Sequence, residues 1–232
     1  MPKKLRYILG IPEDFFQMIC VYFPGPIGYK LRYLFWKRRL RHAGKRVKID
    51  VGVHFQNPGW ISLGDDCWID RNVVVLAGPP WSGRITHQIE NPRFPLNAGE
   101  VSIGEMSHIA PNCVLSGIGG IYIGRNAGVA SNSAIYSYSH HYRNLEDRGD
   151  RCQYSFTPLA RRDQQSMILG PVFIGDYCAV GLSSVILPGA SIEKGTWIAS
   201  GSVITGTHST QSLVFPERQM QTKSLSDFVI VE

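Results

Sequence analysis

The chain lacks a disulfide framework. Its five cysteines in 232 residues include Cys67, Cys113 and Cys178, each at the small position of a recurring six-residue unit, where they read as small buried apolar residues. Cys20 and Cys152 have no obvious partner. A stapled secreted scaffold is thereby excluded, and a reducing cytoplasm fits. A cleavable leader is not visible either: the apolar stretch from Phe15 to Phe23 is short, follows Glu13 and Asp14, and has no small-residue cleavage site. Acidic residues are nearly missing from the first 48 positions, which carry twelve Lys and Arg against Glu13 and Asp14, or +10. Residues 49–232 carry −4, so the net charge of +6 belongs to the N-terminal piece. No nucleic-acid-binding motif accompanies that charge, and the acidic remainder argues against such a partner.

What the chain has is a period of six. Ile103, Ile109 and Leu115 form one block, Ile123, Val129 and Ile135 a second, and Ile174, Val180, Ile186, Ile192, Ile198 and Ile204 a third. Four positions after most of these stands a small residue, among them Ser107, Cys113, Ala127, Ser133, Cys178, Ser184, Ala190, Thr196 and Ser202. This spacing fits neither an α-helix nor a hairpin protein. A unit this short buries its apolar side only by stacking, coil upon coil. Each hexad therefore reads as a short strand and a turn, three hexads closing a triangular coil of about 18 residues. Gly104, Asn112, Asn126, Asn132 and Gly189 recur where tight turns are needed. The rougher run from Leu63 through Cys67, Ile69 and Val73 extends the pattern upstream.

Three regions follow. Residues 1–46 read as short helical pieces broken at Pro24-Gly25-Pro26, rich in aromatics and ending in the cationic run from Lys37 to Arg41. Such a segment fits an anionic membrane surface or a helical cap on the first coil. Residues 47–206 are the β-helix, interrupted by a Pro-rich loop at 77–100 and a charged loop at 141–170. Residues 207–232 leave the repeat, with Phe228, Val229 and Ile230 available to pack back as a cap. Function is expected at the two excursions, because a regular solenoid has little concavity of its own.

His140 is the leading chemical candidate. It ends the hexad begun by Ile135, immediately before the repeat gives way to the 141–170 loop. A general base needs that combination of a fixed position and an open side, and an imidazole with a pKa near 6.5 accepts protons at neutral pH. In the 77–100 loop, Trp81, Arg84 and His87, together with His141, are further candidates for contact with a ligand.

The stretch Ile123-Gly-Arg-Asn-Ala-Gly-Val-Ala-Ser-Asn-Ser-Ala-Ile-Tyr-Ser-Tyr-Ser-His140, with Ile174-Gly-Asp-Tyr, Pro188-Gly-Ala-Ser-Ile192 and Ala199-Ser-Gly-Ser-Val-Ile-Thr205, resembles the hexapeptide-repeat acyltransferases. Among them it is most similar to the maltose/galactoside O-acetyltransferase group and its relatives in polysaccharide and lipopolysaccharide biosynthesis. The likeness covers about residues 60–220 and leaves out the first 46 residues and the 77–100 loop. It implies an all-β, left-handed parallel β-helix, a homotrimer, and acetyl-CoA as co-substrate without a metal. His140 would deprotonate a sugar hydroxyl as it attacks the thioester. Leu182, Ser200 and Thr205 fall at positions that contact the pantetheine arm, and Arg218 where the family has a basic residue near the nucleotide phosphates. Ala110 and Ile118 stand where sugar-specific relatives carry polar acceptor contacts, so the acceptor is expected to be held differently.

The resemblance implies a cytoplasmic O-acetyltransferase acting on a sugar or a lipid-linked saccharide, with residues 1–46 in peripheral contact with the membrane as one option. N-acetylation of an amino sugar, and antibiotic acetylation, would use the same scaffold and donor. A γ-class-like zinc carbonic anhydrase would need converging histidines, for which His108, His140 and His141 are available. However, neighbours on an extended strand face opposite ways. A non-catalytic solenoid is the remaining rival. Serine acetyltransferases are disfavoured because 46 residues cannot supply their large helical domain.

Overall fold

The computed structural model describes residues 15–215 and the backbone of 229–230. Three parallel sheets, of seven, seven and six strands, form the sides of a prism. Face A starts at His42–Ala43, face B at Lys48–Ile49 and face C at His54–Gln56; each later coil adds one strand to each face, except the last described coil, which adds strands to faces A and B only. The architecture is the expected left-handed parallel β-helix. Ile49, Ile61, Leu63, Ile69, Ile103, Ile109, Leu115, Ile123 and Ile135 are at most 1 % exposed and stack down the axis. The small residues of each hexad, Ser107, Cys113, Ala127, Ser133, Cys178 and Ser184, are buried beside them.

The turns explain the asparagines. Asn72, Asn112, Asn126 and Asn132 all adopt a left-handed backbone, φ between 52° and 62°, a conformation that asparagine tolerates better than most side chains. Asn72 donates to Asn112 and Asn112 to Asn132, each at 3.3 Å, forming a ladder along one corner.

Coil length departs from expectation. Ile103 pairs with Ile123, so an early coil takes 20 residues, whereas Ile174 pairs with Ile192 after 18. The extra residues lie at the corner between faces C and A, as in Gly117–Gly120. The coils also reach beyond residues 47–206: His42–Ala43 pairs with Ser62–Leu63, and Thr207–His208 and Leu213–Val214 pair with the preceding coil. Part of the 207–232 segment therefore continues the repeat. Residues 229–230 pair with Cys152–Gln153, while Phe228 lies outside the described residues.

Residues 15–22 are helical, and the helix Gly25–Lys37 begins after Pro24 with Pro26 in its first turn, where a missing N–H costs nothing. Its contacts reach His42–Ala43 and Lys48–Ile49, and Trp36 meets Phe55 edge-on at 4.9 Å. The helix thus touches the first strand of all three faces and caps the prism end. Arg32 is its anchor. Fully buried, it donates to Ile49 O at 2.6 Å and Phe23 O at 2.5 Å, with Asp50 3.9 Å away. Burial pulls the guanidinium pKa below its usual value, and Asp50 opposes the shift. Arg32→Ala leaves these acceptors unpaired, and we expect a loss of about 3 kcal/mol, measured by urea denaturation. An unchanged midpoint would contradict this role.

Candidate active site

The 77–100 and 141–170 excursions are one structure. Both leave the prism from face C and return to face A, so they project from the same corner two coils apart. Each is pinched at its neck. Gly78 N–H donates to Gly99 O at 3.0 Å, and Gly170 N–H to Ser137 O at 2.9 Å. Gly99 has φ +87° and sits so close to Gly78 that an added Cβ would lie 2.0 Å from its carbonyl oxygen; no other residue fits there.

Outside the prism the excursions share a three-stranded sheet. Tyr138–His141 runs antiparallel to Ser166–Leu169, which runs parallel to Ile85–Gln88. The two excursions expected as loops are thus joined, and His140, expected immediately before the 141–170 loop, lies within a paired strand. The strand edges of the two excursions pair with each other, which satisfies backbone groups that either alone would leave open.

The register sorts the candidates onto two faces. His140 is level with Met167 and Thr86, and the next row on the same face holds Arg84 and Gln165. Gln165 is fully buried, accepts from Arg84 Nε at 2.7 Å through Oε1, and donates through Nε2 to Ala160 O at 2.6 Å. Arg84 also lies over the Trp81 ring at 4.6 Å, and Trp81 meets Tyr138 edge-on at 4.9 Å. The exposed Phe156 packs 5.2 Å from the His140 ring. Trp81 and Arg84 are therefore gathered beside His140.

His87 and His141 are not. Their rows alternate with that of His140 and turn to the other face. His87 Nδ1 is 2.5 Å from Glu146 Oε1, and His141 Nδ1 contacts the Arg143 backbone. His87 instead lines a separate pocket of about 330 Å³ with Arg143, Arg148 and Arg151.

The His140 ring is set up to be neutral. Burial chiefly, then the charge of Arg84, holds its pKa below the ordinary value, while the neighbouring Gln165 amide acts the other way. Nε2 is buried without a hydrogen-bond partner among the described residues. A desolvated, unprotonated imidazole beside an aromatic platform can take a proton from a nucleophile.

A second feature lies on face B. A groove of about 600 Å³ runs along it, lined by His108, Ala130, Ser131, Leu182, Trp197 and Ser200 among others. Its shape follows from one column of outward positions in register: His108, Gly128, Ala179, Trp197. Two small residues between two rings leave a notch. A Cβ at Gly128 would meet nothing within 4 Å. Of the residues expected at the pantetheine arm, Leu182 and Ser200 line this groove; Thr205 is exposed and does not, and Arg218 lies outside the described residues. Ala110 also lines the groove, and Ile118 is buried at the C–A corner. His108 stays on face B beside Trp68 and Asp70, away from His140 and His141; among the described residues no three metal-ligating side chains converge.

Sequence reasoning missed Gln165, Phe156, Gly128 and Trp197. Gln165 and Phe156 lie in an insertion without a period and carried no signal. Gly128 and Ala179 could have been found, since both interrupt the outward column in strands whose inward partners are fixed.

Residues 171–206 match the family model described as hexapeptide repeat of succinyl-transferase. The dTDP-4-amino-4,6-dideoxy-D-glucose acyltransferase of Escherichia coli is 26 % identical over 164 residues, 71 % of each chain. The N-acyltransferase AntD of Bacillus cereus, solved with dTDP and 3-hydroxybutyryl-CoA, is 20 % identical and superposes with a TM-score of 0.62 over 83 % of this chain and 88 % of its own. A maltose O-acetyltransferase from Clostridium difficile is 16 % identical with a TM-score of 0.50, covering 87 % and 80 %. The chain carries the hexapeptide repeat and resembles the sugar acyltransferases built on it.

Proposed function

We propose that this chain transfers an acyl group, acetyl in the simplest case, from acyl-CoA to a sugar, with His140 as general base. The observation that carries the reading is the half-buried imidazole, its pKa held below the ordinary value, beside Trp81 and Arg84 in a sheet built by both excursions. His140 removes the proton from the attacking acceptor atom as that atom adds to the thioester carbonyl; coenzyme A then leaves as the thiolate. Positioned base catalysis of this kind contributes roughly 10²–10⁴-fold. Trp81 offers its face to the sugar ring, and Arg84 restrains both the indole and Gln165. The groove on face B takes the pantetheine arm along Leu182 and Ser200, with Thr205 and Arg218 as further contacts towards the nucleotide end.

The finer assignment is the acceptor. A relative acting on an amino sugar carried by a nucleotide favours an amino nitrogen over the sugar hydroxyl that the resemblance alone implied. The two are separable by chemistry. Thiol release from acetyl-CoA should be measured with amino-sugar and neutral-sugar nucleotides, and the product treated with hydroxylamine. An amide survives the treatment and an ester does not. A labile product would return the assignment to O-acetylation, and thiol release with no sugar would refute the transferase reading.

The corner that carries His140 lies opposite face B in a triangular section. One protomer's base therefore cannot reach the middle of its own groove, which supports a homotrimer in which neighbours complete each other's sites. We also place the reaction in the cytoplasm, where acyl-CoA and nucleotide sugars are made, with residues 1–46 in contact with the membrane surface. Among the described residues no helix is long and apolar enough to span a bilayer.

The pH profile tests Arg84. A base must be unprotonated, so kcat/KM falls as pH drops through the His140 pKa. In the wild type, burial and the Arg84 charge should set that limb below the ordinary imidazole range. Arg84→Gln removes a nearby positive charge and should move the limb to higher pH; a profile that stays in place would show that Arg84 does not act on the ring.

A further inference from the structure

The helix that caps the prism has two different sides. At 100° per residue, Gly28, Arg32, Phe35 and Trp36 fall on the side packed against the first coil, and all four are buried. The outer side carries the exposed Ile27 and Leu34 with Lys30, Lys37 and Arg38, and the half-buried Leu31 lies at its edge. Ile27 is 65 % exposed and Leu34 47 %. The preceding segment adds Phe15, Phe16, Tyr22 and Phe23, all between 40 % and 62 % exposed. So many large apolar side chains, neighbours along one short segment, are not the scattered singles of an ordinary surface. Between Phe15 and Lys48 the chain has no Asp or Glu.

We infer that this outer side docks on an anionic bilayer, its aromatic and aliphatic side chains at the headgroup boundary and Lys30, Lys37 and Arg38 against lipid phosphates. The inference refines the membrane contact proposed above and stands apart from the reaction assigned to His140. Charge selects the occupant. A surface rimmed by cations and free of carboxylates complements an anionic lipid face, whereas a second copy would set the same cations against each other. Position agrees with it. The cap closes the first coil, while the groove and the catalytic outgrowth occupy a side and a corner further along the prism, so docking leaves both open.

The test is flotation of the full chain with vesicles of phosphatidylcholine alone or with phosphatidylglycerol added. Point variants are preferable to deleting residues 1–42, which would also remove the Arg32 anchor. The wild type should float only with the anionic vesicles, and less as salt rises. Each basic residue near such a surface strengthens binding roughly fivefold, so combining K30Q, K37Q and R38Q should weaken it about a hundredfold. Ile27→Glu with Leu34→Glu should abolish it. All five positions point away from the coil, so thermal midpoints should hold. Equal flotation with neutral vesicles, or variants that float like the wild type, would overturn the inference. So would a drop in oligomer mass on introducing Ile27→Glu and Leu34→Glu, since that would identify the surface as a contact between copies.

Discussion

We expect His140→Ala to lower kcat by roughly 10²–10⁴-fold without unfolding the protein. The size follows from the role. A hydroxyl or ammonium group is a weak nucleophile until its proton leaves, and no second imidazole shares the face of the excursion sheet. The neighbouring histidines provide the internal control. His141 and His87 turn to the opposite face, where His87 pairs with Glu146, so alanine at either position should leave kcat near the wild-type value. Stability should be spared because the half-buried ring makes no hydrogen bond through Nε2 among the described residues. Steady-state kinetics on the three variants, with melting curves, checks this. Equal losses at positions 140 and 141 would mean that the sheet, and not the base, had been disturbed.

Gly128→Leu should raise KM for acyl-CoA at least tenfold and remove the thermal stabilisation expected of coenzyme A on the wild type. A ligand at a hundred times its Kd stabilises by about 2.7 kcal/mol, which a melting curve resolves. The substitution is chosen because it fills space without strain. Gly128 sits in a strand without a left-handed backbone, and a Cβ there meets no atom within 4 Å. The isobutyl group would occupy the notch between His108 and Trp197. By contrast, a Cβ at Gly181, on the same face, would lie 2.5 Å from the Ser200 backbone nitrogen, so substitution there would test folding and not binding. Unaltered acyl-CoA kinetics in Gly128→Leu would move the donor site off face B.

The prism was legible because a six-residue period has one physical solution, and the buried Ile, Val and small residues of each hexad follow it from Leu63 to Ile204. The Asn turns were legible for the same reason. The longer early coils were not, since the two added residues sit at a corner where no packing constraint marks the sequence. Nor was the excursion sheet. Ile85–Gln88 and Ser166–Leu169 stand about 80 positions apart, and only a shared corner brings them together. That geometry separated Trp81 and Arg84, which lie with His140, from His87, three residues after Arg84 and on the other face. The N-terminal segment fitted two readings because its helix has two sides: Arg32 and Trp36 make it a cap, and Ile27 and Leu34 leave a surface to be covered.

In the proposed trimer, a base from one protomer meets a donor groove from another. Co-expression of His140→Ala with Gly128→Leu tests this directly when assayed at acyl-CoA well below the wild-type KM, where neither variant alone turns over at an appreciable rate. With random assortment in equal amounts, about a quarter of the sites pair an intact imidazole with an intact groove, so the mixture should regain about a quarter of the wild-type rate. A mixture no more active than its separate components would contradict the shared site.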